Sequence, residues 1–209
     1  MLVRFGWLAK PTHRIFYGTF EMSKHGKNLQ FVPLNIAVLT VSDTRTEDDD
    51  SSGLALVERL VEAGHCLRAR AIVKDDIYQL RAIVSQWIAD RNIQTILITG
   101  GTGFSSRDST PEAIKPLFDK SIEGFGELFR QVSCEDIGTS TIQSRALAGL
   151  SNKTVIFCMP GSPNACRTAW DRIISEQLDI RHRPCNFVSL VLEKESVEAP
   201  IISVCESRS

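Results

Sequence analysis

The stretch TILITGGTG at residues 95–103 joins a short apolar run to a loop that contains three glycines. An apolar, β-branched run that ends at a glycine-rich loop is typical of a buried strand in a parallel sheet. Glycines free the backbone from the restrictions of a Cβ, so successive N–H groups can turn towards an anion and a flat ligand can approach closely. We therefore predict a buried strand that ends at a ligand-binding loop, although a tight turn without a ligand also explains these glycines.

Three further strands of similar character flank this one along the chain. Each ends at polar or glycine-rich residues, as in IAVLTVS (36–42) before Asp43, CLRARAIV (66–73) before Lys74-Asp75-Asp76, and TVIFCM (154–159) before Pro160-Gly161-Ser162. Apolar residues at helical spacing lie between and after the strands, and they predict helices near residues 51–64, 77–88, 111–148 and 165–178. Alternating strands and helices predict an α/β fold, with a doubly wound, mostly parallel sheet that carries helices on both faces.

Local signals predict where these helices begin. Ser51 or Ser52 can cap the first helix, and the acidic run at 47–50 before it is predicted to be a solvated loop. Thr110-Pro111 and Ser162-Pro163 predict two later helix starts, because proline is favoured in the first turn of a helix.

The carboxyl ends of parallel strands share one edge of the sheet, and ligands of such sheets bind beyond that edge. Three aspartates there, Asp43, Asp75 and Asp108, would repel one another unless a cation lay between them, and Mg²⁺ bound to substrate phosphates is a suitable cation. Asp108 can instead be a capping neighbour of the next helix, and Arg107 can face either a phosphate or a carboxylate. The predicted binding residues at this edge are Ser42, Asp43, Gly100, Gly101, Thr102, Gly103, Pro160, Gly161 and Ser162.

Composition and motifs exclude several functional classes. A net charge of -1 and a sequence pI near 6.4 provide no basic surface for nucleic acid or for an anionic membrane. No apolar run reaches the ~18–20 residues that a membrane helix requires. The chain has no G-x-x-x-x-G-K-[ST] motif and GGTGFS departs from G-x-G-x-x-G, so neither a Walker NTPase nor a Rossmann dehydrogenase is supported. Cysteines without a C-x-x-C pair indicate reduced thiols, and the cytoplasm is the expected compartment.

A serine hydrolase is disfavoured as well, because G-S-P-N at 161–164 departs from G-x-S-x-G. Only His65 and His182 lie in the predicted folded region, so a histidine base is not evident. His65 follows Gly64 at the end of the first helix, and we predict that it is a structural cation at that helix terminus.

Seven stretches of the sequence form an uninterrupted series of motifs. They are TVSDTR (40–45), DDDSSG (48–53), LITGGTG (97–103), RDSTPEA (107–113), EGFGELFR (123–130), GTSTIQSRALAG (138–149) and MPGSPNACRTAW (159–170). Together they resemble the MoaB/MogA family, to which domains of gephyrin and of its plant counterpart are related. The resemblance covers residues 31–187 and is nearest to the MoaB branch.

This resemblance implies a molybdopterin-binding domain that acts in molybdenum cofactor biosynthesis and assembles as a homotrimer or homohexamer. In the MogA branch it implies an adenylyltransferase, which converts molybdopterin and ATP into adenylyl-molybdopterin and pyrophosphate with Mg²⁺. The acidic positions of that branch fall on Asp75 and Asp108, which are the expected catalytic and Mg²⁺-binding residues. Other proteins of molybdenum cofactor biosynthesis are expected partners.

Two other functions are compatible with the same motifs. A non-catalytic molybdopterin-binding or scaffolding paralogue would keep the pocket and the oligomer interface, whereas a generic nucleotide-binding α/β protein would bind ATP irrespective of molybdopterin.

For the domain organisation, we predict an N-terminal extension at 1–30, a MoaB/MogA-like domain at 31–187 and a C-terminal tail at 188–209. Met22 is a candidate for the true start of the chain.

Overall fold

The structure is a computed structural model, and it describes residues 29–194 of the chain. The candidate start at Met22, nearly all of the predicted N-terminal extension, and the tail from residue 195 lie outside the described residues. In the described range, no helix is both long enough and apolar enough to cross a membrane.

One six-stranded sheet organises the described residues. Its strands are β1 (Asn35–Val41), β2 (Cys66–Val73), β3 (Thr95–Thr99), β4 (Lys120–Ser121), β5 (Leu147–Ser151) and β6 (Thr154–Met159), in the spatial order β2-β1-β3-β6-β5-β4. The pairs β1–β2, β1–β3 and β3–β6 are parallel, whereas β5 runs antiparallel to β6 and β4 antiparallel to β5. The four predicted strands are therefore confirmed, and they form the parallel part of a mixed sheet.

Helices cover both faces of this sheet, as predicted. They are α1 (Ser51–Glu62), α2 (Ile77–Ala89), α3 (Thr110–Ile114), α4 (Glu123–Ile137), α5 (Pro163–Ala169), α6 (Ser175–Gln177) and α7 (Val188–Leu192), and a π-turn at Trp170–Ile174 joins α5 to α6. Successive side chains of β1 point to opposite faces of the sheet. Ile36 and Val38 belong to the core with α1, α4, α5 and α7, whereas Ala37 and Leu39 belong to the core with α2 and α3. Both sets are fully buried, which explains why the strand is apolar throughout.

The prediction that residues 111–148 are helical throughout is wrong, because this segment contains β4 and the first two residues of β5 besides α3 and α4. The sequence of β5, LAGLS, lacks the β-branched residues that signal a strand. It forms by pairing with β6 across the two-residue turn Asn152-Lys153, in which both residues have positive φ (45° and 59°). Gly149 is needed in β5, since a Cβ there would lie 2.2 Å from the ring of Phe118.

Asp50 caps α1, so the prediction of Ser51 or Ser52 as the cap is wrong. Its carboxylate accepts the backbone N–H of Gly53 at 2.9 Å. The predicted solvated loop at 47–50 is wrong at its last residue, because only 2% of the surface of Asp50 is exposed. The reason is electrostatic: this carboxylate pairs with two partly exposed guanidinium groups, which are described below.

The two later helix starts differ in detail. Ser162-Pro163 begins α5 as predicted, and the Ser162 hydroxyl accepts the N–H of Ala165 at 3.2 Å. At α3 the N-cap residue is Ser109, one position before Thr110. The hydroxyl of Thr110 is used elsewhere, because it donates to the carbonyl of Gly100 at 2.9 Å.

His65 is buried against the rings of Phe31 and Trp170, and its Nδ1 accepts the N–H of Leu34 at 3.2 Å. An accepting Nδ1 carries no proton, and burial lowers the pKa of this imidazole below its usual value. Its structural role is confirmed, but the predicted cation is wrong: His65 is neutral.

The folded domain continues beyond residue 187, although the sequence predicts a C-terminal tail from residue 188. Val188 and Val191 of α7 are fully buried in the core on the α1 face of the sheet. Lys194 is also buried, and its ammonium group donates to the carbonyls of Ile88 and Ile93, at 2.9 Å each. Residues 188–194 therefore belong to the folded domain.

Candidate functional site

A cavity of about 430 Å³ opens beyond the carboxyl ends of β1, β3 and β6, which is the predicted edge of the sheet. Its walls come from the loop after β1, the glycine loop after β3, the segment after α4 and the turn after β6. It brings together these predicted residues: Ser42, Gly100, Gly101, Thr102, Gly103, Asp108, Pro160 and Gly161.

Three predicted site residues do not line this cavity. Ser162 lines a smaller cavity of about 160 Å³, which shares Pro160 with the main one. Asp75 contacts the glycine loop, because a Cβ added to Gly101 would lie 2.4 Å from its Oδ2. Asp43 accepts the N–H of Asp75 at 3.2 Å and so links the ends of β1 and β2.

The glycine loop adopts a conformation that requires glycine. Gly100 and Gly101 have φ values of +105° and +62°, in the left-handed region that other residues rarely adopt. A Cβ at Gly100 would lie 2.2 Å from the carbonyl oxygen of Val41, so the loop and β1 approach more closely than a side chain permits. Thr110 anchors the loop, since its hydroxyl and its N–H donate to the carbonyls of Gly100 and Gly101.

The carboxylates of Asp43, Asp75 and Asp108 influence one another, as their positions at strand ends predict. Burial raises the pKa of Asp75 above its usual value, and the negative charges of Asp108 and Asp43 raise it further. Ser109 opposes this rise by donating two hydrogen bonds to Oδ1 of Asp75. The charge of Asp75 is therefore incompletely compensated, which is the electrostatic condition that favours a nearby cation.

Asp75 and Asp108 fit the chemistry of Mg²⁺ in a nucleotide site. Such a Mg²⁺ takes one or two carboxylates and completes its shell with water and substrate phosphates. Between residues 29 and 194 there is no group of three or more His, Cys, Asp and Glu side chains arranged to hold a metal ion. The two aspartates could supply the one or two carboxylates that such a cation takes.

Arg107 forms a bidentate ion pair with Asp43. Its Nε donates to Oδ2 at 3.0 Å, and its Nη2 donates to both carboxylate oxygens at 2.9 Å. The hydrogen bonds from Arg107 lower the pKa of Asp43 below its usual value. Of the two partners that the sequence allows for Arg107, the structure shows the carboxylate.

Arg145 is a site residue that sequence reasoning missed. Its Nε donates to the carbonyl of Gly103 at 2.8 Å, its Nη2 donates to the carbonyl of Asp108 at 3.0 Å, and its Nη1 pairs with Glu112. The guanidinium also lies over the ring of Phe104, 5.3 Å from the centroid. One side chain therefore holds both ends of the loop that carries Asp108.

Several cavity residues were also missed, and the available signals differ. Arg45 and Ser52 stand inside the motifs TVSDTR and DDDSSG, so a closer reading of those motifs could have included them. Four more lie at the end of α4 and in the turn after it, within the segment 111–148 that the sequence predicts to be a helical stretch: Ile137, Ser140, Gln143 and Ser144.

Comparisons with known proteins identify the family. Residues 37–180 match the family described as "Probable molybdopterin binding domain". The molybdenum cofactor biosynthesis protein B of Escherichia coli K12 is 59% identical over 158 residues, which cover 76% of this chain and 93% of that protein. This chain belongs to the MoaB/MogA family. The protein of the same name from Bacillus subtilis is 46% identical over 142 residues, which cover 68% of this chain and 84% of that protein.

Solved structures of MoaB proteins share the fold. A crystal structure of a molybdenum cofactor biosynthesis protein B matches with a TM-score of 0.71 at 40% identity, covering 79% of this chain and 98% of the other. The tungsten cofactor synthesizing protein MoaB from Pyrococcus furiosus matches with a TM-score of 0.62 at 37% identity, covering 69% and 92%. The predicted MoaB/MogA fold is confirmed, and this family membership assigns the chain to molybdenum cofactor biosynthesis.

Proposed function

We propose that this chain binds molybdopterin in the cavity at the carboxyl ends of β1, β3 and β6 and adenylylates it with ATP. The observation that carries the proposal is the cavity itself: about 430 Å³, walled by the glycine loop and the turn after β6, with Asp108 in its lining and Asp75 behind it. Membership of a family described as a probable molybdopterin-binding domain supports the choice of ligand.

The backbone of the cavity is suited to a flat, anionic ligand. Glycines at 100, 101 and 103 leave the loop without side chains, so a ring system can approach the backbone closely. Serines and a threonine add hydroxyl groups around this loop, and these can donate to ring carbonyls or to phosphate: Ser42, Ser52, Thr102, Ser140 and Ser144.

The proposed reaction needs no nucleophile from the protein. An oxygen of the molybdopterin phosphate attacks the α-phosphorus of ATP, the bond to the β-phosphate breaks, and pyrophosphate leaves. Among the described residues that line the cavity there is no histidine, and direct attack by the phosphate requires none. The work of the protein is to bring two anions together in the correct orientation and to stabilise the charge that they carry.

Asp75 and Asp108 are the residues that would hold Mg²⁺. When bound, this ion supplies positive charge to the phosphate oxygens of ATP. Ser109 donates two hydrogen bonds to Asp75, which favour its ionised form, and Arg145 holds the backbone of Asp108 in place. Both carboxylates are thus oriented by neighbours before substrate arrives.

One observation favours a second candidate, a molybdopterin-binding or scaffolding protein without catalysis. Oδ1 of Asp75 already accepts two hydrogen bonds from Ser109, and Asp75 does not line the cavity. Such a carboxylate can serve a purely structural purpose, by joining the end of β2 to the start of α3.

Pyrophosphate release in the presence of ATP, Mg²⁺ and molybdopterin decides between the two candidates. We expect turnover from the unmodified protein and a loss of at least about 100-fold with Asp108→Asn, a substitution that keeps an acceptor for the N–H of Ser105. Molybdopterin binding should remain largely intact in this variant. Asp90→Asn removes the same charge at the end of α2, outside the cavity, and should leave turnover unchanged. Molybdopterin binding with no pyrophosphate release would establish the second candidate.

We further propose that the chain acts in the cytoplasm as a homotrimer or homohexamer. Light scattering on the purified protein measures the number of subunits, and a monomeric mass would contradict this assembly.

A further inference from the structure

Arg45 reaches the main cavity from the loop between β1 and α1. It is the one basic side chain among the described residues that line this cavity, and 26% of the side chain is exposed. Ser42 shapes the loop, because its hydroxyl accepts the N–H groups of Thr44 and Arg45 at 3.3 and 3.1 Å. A cation with a defined position therefore faces the cavity.

Asp50 lies behind Arg45, and none of its side chain is exposed. Its carboxylate is 3.5 Å from Nη1 of Arg45 and 3.0 Å from Nη2 of Arg70. One buried carboxylate thus faces two guanidinium groups, so the cluster of Arg45, Asp50 and Arg70 carries an excess of one positive charge. Asp108 contributes a negative charge elsewhere in the cavity lining. Residues 47–49 of the same loop are acidic, but they are exposed, so water and salt screen them.

Arg45 also retains hydrogen-bond donors for a ligand. A guanidinium has five N–H groups. Nη1 donates to the hydroxyl of Ser52, and Nη2 donates to the carbonyl of Gly161 at 3.1 Å. Within residues 29–194 no hydrogen bond is formed by Nε–H, and Nη2 has a second hydrogen. Nε–H and an N–H of Nη2 on the same side of the guanidinium are the planar pair with which arginine binds phosphate through two parallel hydrogen bonds.

A structural explanation of Arg45 accounts for only part of this arrangement. The contacts with Ser52 and Gly161 join the loop after β1 to the start of α1 and to the turn after β6. These contacts use the Nη groups, however. They leave Nε–H without an acceptor among the described residues, and they leave the excess positive charge of the cluster without a counter-charge. An anion in the cavity would satisfy both.

We propose that Arg45 binds a phosphate group of a substrate in this cavity, through its Nε–H and the second N–H of Nη2. This inference rests on the proposed function, because molybdopterin and ATP both carry phosphate. It adds the residue that recognises the anion, on a segment of the chain distinct from Asp75 and Asp108. The chemical class recognised is a phosphate monoester or a polyphosphate.

Inorganic phosphate is the probe that tests this proposal, since its binding requires neither molybdopterin nor turnover. Phosphate is titrated into protein labelled with ¹⁵N-arginine at constant ionic strength, and the side-chain Nε–H signals are followed by NMR. The signal that is missing from the spectrum of Arg45→Gln belongs to Arg45. We expect this signal to shift in a saturable way and the phosphate affinity of Arg45→Gln to fall by about tenfold or more.

Arg59→Gln is the matched control, because it removes the same charge from α1 but affects a side chain that pairs with Asp171 outside the cavity. Its phosphate affinity should equal that of the unmodified protein. Arg45→Lys keeps the charge but loses the planar pair of donors, and we expect it to recover part of the lost affinity. Thermal melting of each variant reports on folding. If Arg45→Gln does not fold, Arg45→Lys assigns the signal, and the shift in the unmodified protein decides.

Three outcomes would overturn the proposal: equal phosphate affinity in Arg45→Gln and Arg59→Gln, a phosphate shift that leaves the Arg45 signal in place, or no saturable binding at all. None of them bears on adenylylation, which the pyrophosphate assay measures separately. Conversely, a protein that releases no pyrophosphate can still bind phosphate at Arg45, so the two proposals fail independently.

Discussion

Ser109 holds the carboxylate of Asp75 with two hydrogen bonds: its backbone N–H donates to Oδ1 at 3.0 Å and its hydroxyl donates to the same oxygen at 2.5 Å. Burial raises the pKa of Asp75, and both bonds act in the opposite direction by stabilising the carboxylate. Ser109 therefore limits the rise in the pKa of Asp75 that burial causes.

Ser109→Ala should raise the pKa of Asp75 further, because the bond from the hydroxyl is lost while burial and the charges of Asp108 and Asp43 remain. Carboxyl ¹³C NMR measures this pKa directly. If catalysis requires ionised Asp75, the acidic limb of the pH–rate profile should move to higher pH in the same variant. Ser109→Thr keeps the hydroxyl and should resemble the unmodified protein. An unchanged titration of Asp75 in Ser109→Ala would show that the hydroxyl has no such effect.

Gly101→Ala should destabilise the fold and disturb Asp75 together. The left-handed φ of +62° costs a residue with a Cβ about 1–2 kcal/mol, and the added Cβ would lie 2.4 Å from both Asp75 Oδ2 and Thr110 Oγ1. Urea unfolding measures the loss of stability. Gly124→Ala is the matched control in α4, where an added Cβ meets nothing within 4 Å, and we expect it to gain about 0.5–1 kcal/mol. Equal effects of the two substitutions would contradict this account of Gly101.

His65 should make the fold less stable in mild acid. Burial holds its pKa in the folded state below the value of 6.5 that applies when the chain is unfolded, so protons bind preferentially to the unfolded chain. The contribution of neutral His65 is complete above about pH 6.5 and is lost as the pH falls through the lower, folded-state pKa.

His65→Gln removes this titration, while the amide oxygen can still accept the N–H of Leu34. The free energy of unfolding, measured by urea between about pH 7 and pH 5, should fall less steeply in the variant than in the unmodified protein. His182→Gln, at a half-exposed position, controls for the loss of an imidazole as such. A slope that is the same in all three proteins would exclude His65 as the cause.

The parallel strands could be predicted because local sequence is sufficient for them. β1, β3 and β6 are buried on both faces, so their apolar runs stand out without any knowledge of their neighbours. β5 could not be predicted in this way. It becomes a strand through its pairing with β6 and through the contact of Gly149 with Phe118, which lies far away along the chain.

The same distinction applies to the site. The glycine loop and Ser42 follow predicted strands, and their place at the cavity follows from the rule for parallel sheets. Arg45 depends instead on a buried carboxylate at position 50 and on the carbonyl of Gly161, which come together only in the folded chain. Arg145 likewise depends on its contacts with Gly103 and Asp108.

A chain that ends at residue 187 should be markedly less stable than one that ends at residue 194. The shorter chain lacks α7, whose Val188 and Val191 are fully buried, and we expect a loss of about 3–6 kcal/mol from these two side chains. It also lacks Lys194, which donates to two carbonyls and to the hydroxyl of Thr154. Urea unfolding compares the two chains, and Val191→Ala in the longer one should lose about 2 kcal/mol if the shorter chain does not fold. Equal stability of both chains would mean that the domain ends at residue 187, as the motifs alone predict.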